Sequence, residues 1–331
     1  MSELTIYQET LERFVKSEMM LDEQTEITWD YFRNVYKKLA ELGFTELILM
    51  EEVDKPLLLK NMAQIFTKSG HLSVALAILW QLAINLFVLM ELKDSGEAKE
   101  ELIASIVKGE AYVNWPWLNL SSSHRVYPMT FGTPEEKYFA IDGNNETGYE
   151  VFLRSMLPVG SQSIERFGWS GLKEVRYAIG EDQLQGSIYL GRLSKQGLDV
   201  VQDLERFLTV ACTVGLMDMA LKAGYKFTTE RTQFGQKIWN FQVLRHYLAD
   251  AYSKYQVVNV AFTELTEHFS REKKISGEGI EVKRVALNYL QEITDIALQI
   301  HGGSGYMREY PVQRFWRDGM LLILYGQSKE G

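Results

Sequence analysis

A stretch near the end of this chain, from Gln299 to Gly326, holds residues whose types and spacing could bind a ligand. Its three glycines, Gly302, Gly303 and Gly305, follow one helical pattern, and a second helical pattern opens after them. Because glycine has no Cβ, it allows positive φ and lets a ligand or another backbone approach closely. A plain helix–turn–helix corner with a glycine C-cap has the same pattern, so the rest of the chain must decide between the two.

Bulk composition excludes several classes of function. The 331 residues carry a formal net charge of −9 and a pI near 5.3, so nothing favours a nucleic-acid backbone or an anionic membrane. The single Cys212 rules out an intramolecular disulfide and a cysteine cluster for metal, and none of the five histidines has the spacing of a metal site. The N-terminus carries acids where a signal peptide would carry bases, so we expect a cytoplasmic protein without a metal.

One apolar segment, Val74 to Leu92, is nearly long enough to span a bilayer. Gln81, Asn85 and Glu91 interrupt it, and no basic flank orients it. The pattern therefore predicts a helix buried among other helices, and we expect no membrane partner.

The pattern of apolar residues divides the chain into three parts. Residues 1–110 are predicted to form an N-terminal helical domain, in which Trp29 and Phe32 begin a run at helical spacing. Residues 111–197 change to short alternating runs with turns between them, which predict a shortened middle β-domain of six or seven strands. Residues 198–331 hold four long helical patterns with short connections, which predict a four-helix bundle. The predicted fold class is α+β, mainly α, with a small β-barrel-like domain between two helical domains.

Two long motifs give this order of elements a family resemblance. The first runs from Arg231 to Gln242 and reads R-T-Q-F-G-Q-K-I-W-N-F-Q, and the second is the Gln299–Gly326 stretch. With D-L-E-R at Asp203–Arg206, in the same order and spacing, they resemble the acyl-CoA dehydrogenase family. The resemblance covers nearly the whole chain, although it is strong from 203 to 318 and poor between 112 and 165. It implies the fold of that family and a FAD-dependent oxidoreductase.

The resemblance implies which residues hold FAD, and it places their contacts across a subunit interface. Arg231 and Gln242 match cofactor-contacting positions, and an arginine suits phosphate because its fork matches the phosphate oxygens. An arginine that caps a helix C-terminus would look the same. In the second motif, glycines leave backbone amides open to the pyrophosphate of a neighbouring subunit's FAD. The other implied cofactor positions are Phe234, Gln299, Ile300, His301, Gly302, Gly303, Ser328 and Glu330. A homodimer or homotetramer is therefore expected.

The resemblance also points to a missing carboxylate. Most of the family takes the substrate's α-proton with the Glu of I-Y-E-G-T, but this chain reads L-Y-G-Q-S, with Gly326 at that position. A minority, resembling isovaleryl-CoA and long-chain enzymes, carries the base in D-L-E-R, which makes Glu205 the catalytic candidate. Arg206, Tyr325 and Gly326 match positions near the acyl substrate. An acid in the first turn of a helix, where it complements the helix dipole, is the alternative reading of Glu205.

The middle domain departs from the family. V-N-W-P, Val113–Pro116, stands where the family has L-T-E-P. Lys137–Asp142 is the nearest counterpart of the strand that meets the flavin ring, and it puts Ala or Phe at the position of that strand's Trp. The half that faces the isoalloxazine and the thioester is therefore rebuilt, whereas residues 168–191 match better.

Three functions are compatible with these residues. The first is the α,β-dehydrogenation of an acyl thioester, on CoA or an acyl carrier protein, with FAD, with Glu205 as base and with a flavoprotein as electron acceptor. The second is a non-catalytic or half-catalytic subunit of a heteromeric enzyme, which lends its glycine corner to a partner's FAD. The third is a flavin-dependent monooxygenase on the same fold, against which the presence of D-L-E-R argues.

Overall fold

The structure is a computed structural model that describes residues 3–20, 25–116, 124–133, 135–144, 148–155, 157, 160–178 and 184–327. Its elements follow the predicted order of helices, strands and helices, and helices dominate. The predicted fold class, mainly α with a small β unit in the middle, is therefore confirmed. The domain boundaries at residues 110 and 197 stay a prediction.

Six α-helices make up the first part, as far as its described residues go. Two of them start at a side-chain cap: the Thr28 hydroxyl accepts the N–H of Tyr31 at 3.2 Å, and the Asp54 carboxylate accepts the N–H of Leu57 at 3.1 Å. The second cap starts a helix at Lys55. In chain order the helices are α1 (Glu3–Phe14), α2 (Trp29–Glu41), α3 (Lys55–Thr67), α4 (Leu72–Leu79), α5 (Leu86–Glu91) and α6 (Glu97–Val107).

A π-helical turn, Trp80–Asn85, joins α4 and α5 into one apolar helix, Leu72–Glu91. The two amide side chains buried in this turn, Gln81 and Asn85, have a structural role, because they bind the backbone of the first strand. Gln81 Oε1 accepts the Val113 N–H at 3.1 Å, and Asn85 Nδ2 donates to the Val113 carbonyl.

Two helices are long and apolar enough to cross a membrane by length and composition. They are Leu72–Glu91 and Lys195–Glu230, and 94% and 72% of their most apolar windows are buried within the protein. This burial is typical of core helices, as the sequence predicts for the first of them.

Seven strands of the described residues form two sheets between the helical parts. The first sheet has the order β1-β3-β4-β7, and the second has the order β2-β6-β5. All pairs are antiparallel except β1–β3. The strands are β1 (Val113–Asn114), β2 (His124–Thr130), β3 (Lys137–Asn144), β4 (Gly148–Arg154), β5 (Gln162–Glu165), β6 (Lys173–Ala178) and β7 (Ile188–Leu193).

Four long helices form the last part. They are α7 (Lys195–Glu230), α8 (Gln242–Glu272), α9 (Ser276–His301) and α10 (Val312–Gln327), and a small hairpin of β8 (Thr232–Gln233) and β9 (Gln236–Lys237) joins the first two. The Ser194 hydroxyl caps α7 by accepting the N–H of Gly197 at 3.0 Å, so the helix begins earlier than the sequence suggested. The helix α7 packs against α3, α8, α9 and α10 and is the axis of the molecule.

Candidate functional site

Glu205 lies about three turns into α7, because the helix already begins at Lys195. Its residue exposure is 5%, and Thr209 Oγ1 donates to its backbone carbonyl at 2.7 Å. The helix-dipole explanation of this acid applies only to a first turn, so it does not account for Glu205. A buried carboxylate in the middle of a helix needs another reason, and catalysis is one.

The neighbours of Glu205 in the sequence are held by each other. Arg206 Nη1 donates to the Asp203 carboxylate at 2.8 Å, and the other oxygen of that carboxylate accepts the Ile275 N–H at 3.1 Å. Asp203 thus fixes the start of α9 against α7. The substrate role of Arg206 stays a prediction, because its ion pair is also a structural bond.

A cavity of about 720 Å³ lies beside this part of α7. Its inner wall is largely apolar, and its polar lining combines lysines from α3 and from the loops after α5 and α8 with acidic residues from α5, α7, α8 and the loop before α3. On α7 the wall ends at Asp203 and Leu204, immediately before Glu205. The residues that define it include Leu59, Phe87, Met90, Val200, Leu204, Phe269, Lys55, Lys93, Lys273 and Lys274.

Gly326 lies in the last turn of α10 and is buried against α9. A Cβ added to it would lie 2.5 Å from Cδ1 of Leu287, which is far inside van der Waals contact. The room that a glutamate would need at this position is therefore filled by a leucine. The packing of Leu287 on α9 against Gly326 on α10 therefore leaves no space for a carboxylate side chain at position 326.

We expect Gly326→Ala to lower the free energy of unfolding by about 1–2 kcal/mol and Gly326→Glu by about 3 kcal/mol, because Leu287 must move and the new carboxylate is buried. Urea unfolding of both variants measures this. Leu287→Ala should make room, so the double variant Gly326→Ala/Leu287→Ala should lose less than the sum of the single losses. Strictly additive losses would contradict the contact.

Tyr325, the other predicted substrate residue on α10, is bonded to the β unit. Its hydroxyl donates to the Glu174 carboxylate on β6, and its ring stacks on Trp169 with centroids 5.0 Å apart. Glu174 also accepts from Arg166 Nη2 at 2.7 Å and from Arg176. Burial opposes ionisation of Glu174, but these hydrogen bonds outweigh it and hold its pKa below the usual value. Tyr325 is thus a tether between helix and sheet, and its substrate role stays a prediction.

A second tether, at Asp318, lies about two turns before Tyr325 on α10. The Asp318 carboxylate accepts the Trp169 N–H at 2.7 Å, and the Trp169 indole N–H donates to the Asp318 carbonyl at 3.2 Å. The chain approaches closely here, since a Cβ on Gly168 would lie 2.7 Å from the Arg317 carbonyl oxygen. Burial raises the pKa of Asp318 from 3.8 to about 6, although the Trp169 N–H and two arginines of α10 oppose the rise.

Asp318 should make stability fall with rising pH. Its folded pKa is above its unfolded pKa, so its contribution is fully present below pH 4 and is lost as pH rises through about 6. The two values differ by about 2 units, which corresponds to about 3 kcal/mol. Because an Asn oxygen still accepts from Trp169, Asp318→Asn should remove this pH dependence. We therefore expect the unfolding free energy of the wild type minus that of the variant to fall by about 3 kcal/mol between pH 4 and 7. A flat difference would contradict this.

The predicted cofactor residues meet at the end of the bundle where α7 and α9 end and α8 begins. Arg231 follows the last residue of α7, Phe234 is the tip of the β8–β9 hairpin, and Gln242 is the first residue of α8. All three are exposed, Phe234 to 90% and with φ of +53°. An aromatic side chain this exposed at a strained turn is typical of a contact surface.

The glycine corner adjoins this surface. The ring of His301, the last residue of α9, stacks on Phe227 of α7 with centroids 4.2 Å apart, and its Nδ1 bonds to the Ala297 carbonyl at 2.7 Å. Burial lowers the pKa of His301, so the ring is neutral near pH 7. Gly302 has φ of +56°, and nothing lies within 4 Å of a Cβ built on Gly302 or Gly303. Gln299 is exposed, whereas Ile300 packs inward and is 7% exposed.

Glu205 and the glycine corner are far apart. Arg231 follows Glu205 by 26 positions along α7, which corresponds to about 39 Å at a rise of about 1.5 Å per residue. The two predicted sites of one chain thus lie at opposite ends of α7, and their meeting across a subunit interface stays a prediction.

The residues present fit the pyrophosphate of a flavin dinucleotide at the glycine corner, but they do not fit its ring on β1. At the corner, an exposed arginine and the uncrowded backbone at Gly302 and Gly303 are suited to a pyrophosphate, although the Gly302 N–H already donates to the Gln299 carbonyl. On β1, Asn114 Nδ2 donates to Glu136 at 2.8 Å, while its Oδ1 has no hydrogen-bond partner among the described residues and is buried away from any ligand. Beside it, the rings of Trp115 and Phe139 pack edge to face with their centroids 5.8 Å apart. Phe139, one of the two residues predicted to replace the Trp of this strand, therefore lies in the core.

Sequence reasoning missed the tethers Trp169, Glu174 and Asp318. The signal for them was the glycine pair in G-W-S-G, Gly168 and Gly171, which marks a close approach of two chain segments. Ser328 and Glu330, both predicted cofactor residues, lie outside the described residues. No group of three or more His, Cys, Asp or Glu that could hold a metal occurs in the part of the chain that the structure describes.

Comparisons with known proteins agree with this architecture. Residues 196–329 match the family model "Acyl-CoA dehydrogenase, C-terminal domain". The probable acyl-CoA dehydrogenase YngJ of Bacillus subtilis is 25% identical over 251 residues, which cover 72% of this chain and 64% of that protein. The chain thus spans less than two thirds of the length of this curated relative.

Solved structures share the fold over the whole chain. A probable acyl-CoA dehydrogenase from Mycobacterium abscessus has a TM-score of 0.81 at 18% identity, and the match covers 100% of this chain and 96% of that one. The prolyl acyl carrier protein oxidase AnaB has a TM-score of 0.74 at 16% identity, with 100% and 96% covered. At these identities the likeness shows the fold alone.

Proposed function

This chain belongs to the acyl-CoA dehydrogenase family, and from that premise we propose that it oxidises an acyl thioester at the α,β bond with FAD and with Glu205 as the catalytic base. The observation that carries the proposal is the pair of positions 205 and 326. Position 326 is a glycine whose Cβ space is filled by Leu287, and position 205 is a buried carboxylate three turns inside a helix. A site that has lost one base and holds another at a second position is the arrangement that a relocated base requires.

The orientation of Glu205 supports this assignment. Glu205 and Leu216 are three turns apart on α7 and share one face of the helix. Leu216 and Leu290 both lie beside Gly319 of α10, each 3.5 Å from a Cβ built there. Glu205 therefore lies on the side of α7 that faces α9 and α10, the two helices that close around Gly326.

A cavity at the start of α7 has a wall suited to an acyl group, but it opens on the α3 and α8 side of the helix and Glu205 is not among its lining residues. Its apolar wall can take an acyl chain, but its four lysines are matched by the acids Glu51, Glu91, Asp199, Asp203 and Glu272, so it has no excess of positive charge for phosphate. A carrier-bound substrate is one option, since a relative of the same fold is named as a prolyl acyl carrier protein oxidase. Glu205 would follow directly on the wall residues Asp203 and Leu204.

These positions suggest a role for each residue in the proposed reaction. Glu205 takes the α-proton, and the surrounding helices exclude water from its carboxylate. Arg231, Gln242 and the uncrowded backbone at Gly303 would hold the pyrophosphate of a neighbouring subunit's cofactor. Bound FAD supplies the acceptor for the β-hydrogen and its electron pair, and an external flavoprotein would reoxidise it. The active form is thus at least a dimer, and a cytoplasmic location is consistent with the acidic, cysteine-poor chain.

A second candidate function is a subunit that lends its corner to a different chain's FAD. The packing of Trp115 against Phe139 favours it, because these side chains fill the strand that would meet the flavin ring. The flavin content of the protein purified alone separates the two. A yellow homo-oligomer with about one FAD per chain supports the dehydrogenase. A colourless one that turns yellow only with a second chain supports the lending subunit.

A further inference from the structure

Lys283 is the one lysine among the described residues that is buried, with 3% of its surface exposed. It lies on α9, one turn before Leu287, on the side of that helix that packs against α7 and α10. A buried ammonium is costly unless an anion lies against it. Its counter-charge must therefore come from one of the elements that pack around α9.

The register of α7 and α9 shows which residues of α7 lie near Lys283. The Asp203 carboxylate bonds to the Ile275 N–H, and a Cβ on Gly224 would lie 4.0 Å from the Cα of Ala297, so the two helices run parallel and in step. The Cα of Lys283 is then level with Val210. Helical side chains lean toward the N-terminus, and a lysine reaches back by about one turn or more. This brings its ammonium toward the level of Glu205.

Few charged groups face this point. On α7, Asp203 already holds Arg206 and the start of α9, which leaves Glu205 as the second buried acid of that helix. On α8, Phe262 and Thr266 are the buried residues at this level. On α10, the hydroxyl of Tyr325 is directed to Glu174 on the β unit.

We propose that Lys283 is the counter-charge of Glu205, joined to it in a buried ion pair between α9 and α7. The pair balances the two charges inside the bundle and orients the Glu205 carboxylate, so Lys283 is a positioning residue. The catalytic consequence rests on the proposed function, whereas the pairing itself does not.

A double-mutant cycle on the full chain tests the pairing without any substrate. Glu205→Gln and Lys283→Met should each lower the midpoint of thermal unfolding by ~5 °C, because each leaves one charge buried alone. The double variant should recover at least half of the summed loss. Asp203→Asn with Lys283→Met should be additive. The proposal would be overturned if the unfolding-temperature losses of Glu205→Gln and Lys283→Met simply added in the double variant. It would also be overturned if Asp203→Asn, rather than Glu205→Gln, recovered the stability lost in Lys283→Met. Should Lys283→Met fail to fold, folding of the Glu205→Gln/Lys283→Met double variant supports the pair and its failure to fold overturns it.

The pH profile separates positioning from mere packing. In folded Lys283→Met, the acidic limb of acyl-thioester oxidation should move upward by ~1 pH unit or more, because an opposite charge has been removed from the base. Arg284→Met, at the next and exposed position, should leave the profile in place. An unmoved profile in Lys283→Met would overturn the positioning role. If no acyl thioester is oxidised by the wild type, the proposed function fails, while the stability cycle still decides the pair.

Discussion

Glu205→Gln is expected to lower kcat/KM for acyl-thioester oxidation by about 10²–10⁴-fold. Glutamine keeps the size and hydrogen-bonding shape of the side chain but cannot take a proton. Position 326 offers no substitute, because a leucine fills the space of the family's usual carboxylate. The loss should fall on kcat more than on KM, since the base acts in the transition state. Stopped-flow measurement of flavin reduction by the thioester is the direct readout.

A matched substitution controls for the change from Glu to Gln. Glu264 is an exposed glutamate on α8, so Glu264→Gln should leave the rate of flavin reduction unchanged. Circular dichroism and FAD content of Glu205→Gln should match those of the wild type, which separates lost chemistry from lost structure. Turnover at the wild-type rate in Glu205→Gln would remove Glu205 from the mechanism.

Arg231→Ala should weaken FAD binding by about 10–100-fold, the usual effect of losing a hydrogen bond from an arginine to a phosphate. Arg231 is exposed and follows the end of α7, so its removal should leave the fold intact. Arg271→Ala, at the far end of α8, is the control and should bind FAD as the wild type does. The apparent Kd from titration of apoprotein with FAD measures both.

A mixing experiment tests whether Arg231 acts on a neighbour. Arg231 and Glu205 are about 39 Å apart on one helix, so each site should combine Glu205 of one chain with Arg231 of another. Neither Arg231→Ala nor Glu205→Gln is active alone at limiting FAD. Refolding equal amounts together should restore about a quarter of the wild-type sites in a dimer, because half of the dimers are mixed and each has one complete site. No recovery on mixing would mean that Arg231 serves its own chain's cofactor.

The sequence predicted the helical parts well because their apolar periods and caps are local signals. The apolar run that begins at Trp29 forms helix α2 in the structure. The glycine at position 302 lies at the end of α9, as its residue type indicates. The start of α7 was misplaced because Ser194 caps it beyond the apolar pattern. Likewise Asp54 begins α3 in a segment that reads as a loop.

The site was less predictable because it depends on contacts between distant segments. Motif spacing identified Arg231 and the glycine corner, but not that Glu205 lies at the other end of the same helix. The burial of Gly326 by Leu287 joins two helices, and the bond from Trp169 to Asp318 joins helix and sheet. Neither pair is close in sequence, so no local pattern could reveal it.

Anaerobic titration of the purified protein with acyl thioesters tests the central claim most directly. Short, branched and carrier-bound acyl groups should be included, and the absorption band of oxidised flavin should be followed. We expect a yellow homo-oligomer whose flavin is bleached by at least one of these thioesters, and whose bleaching is lost in Glu205→Gln. Protein that remains colourless after incubation with FAD, or a bound flavin that no thioester reduces, would contradict the assignment of this chain as an acyl-thioester dehydrogenase.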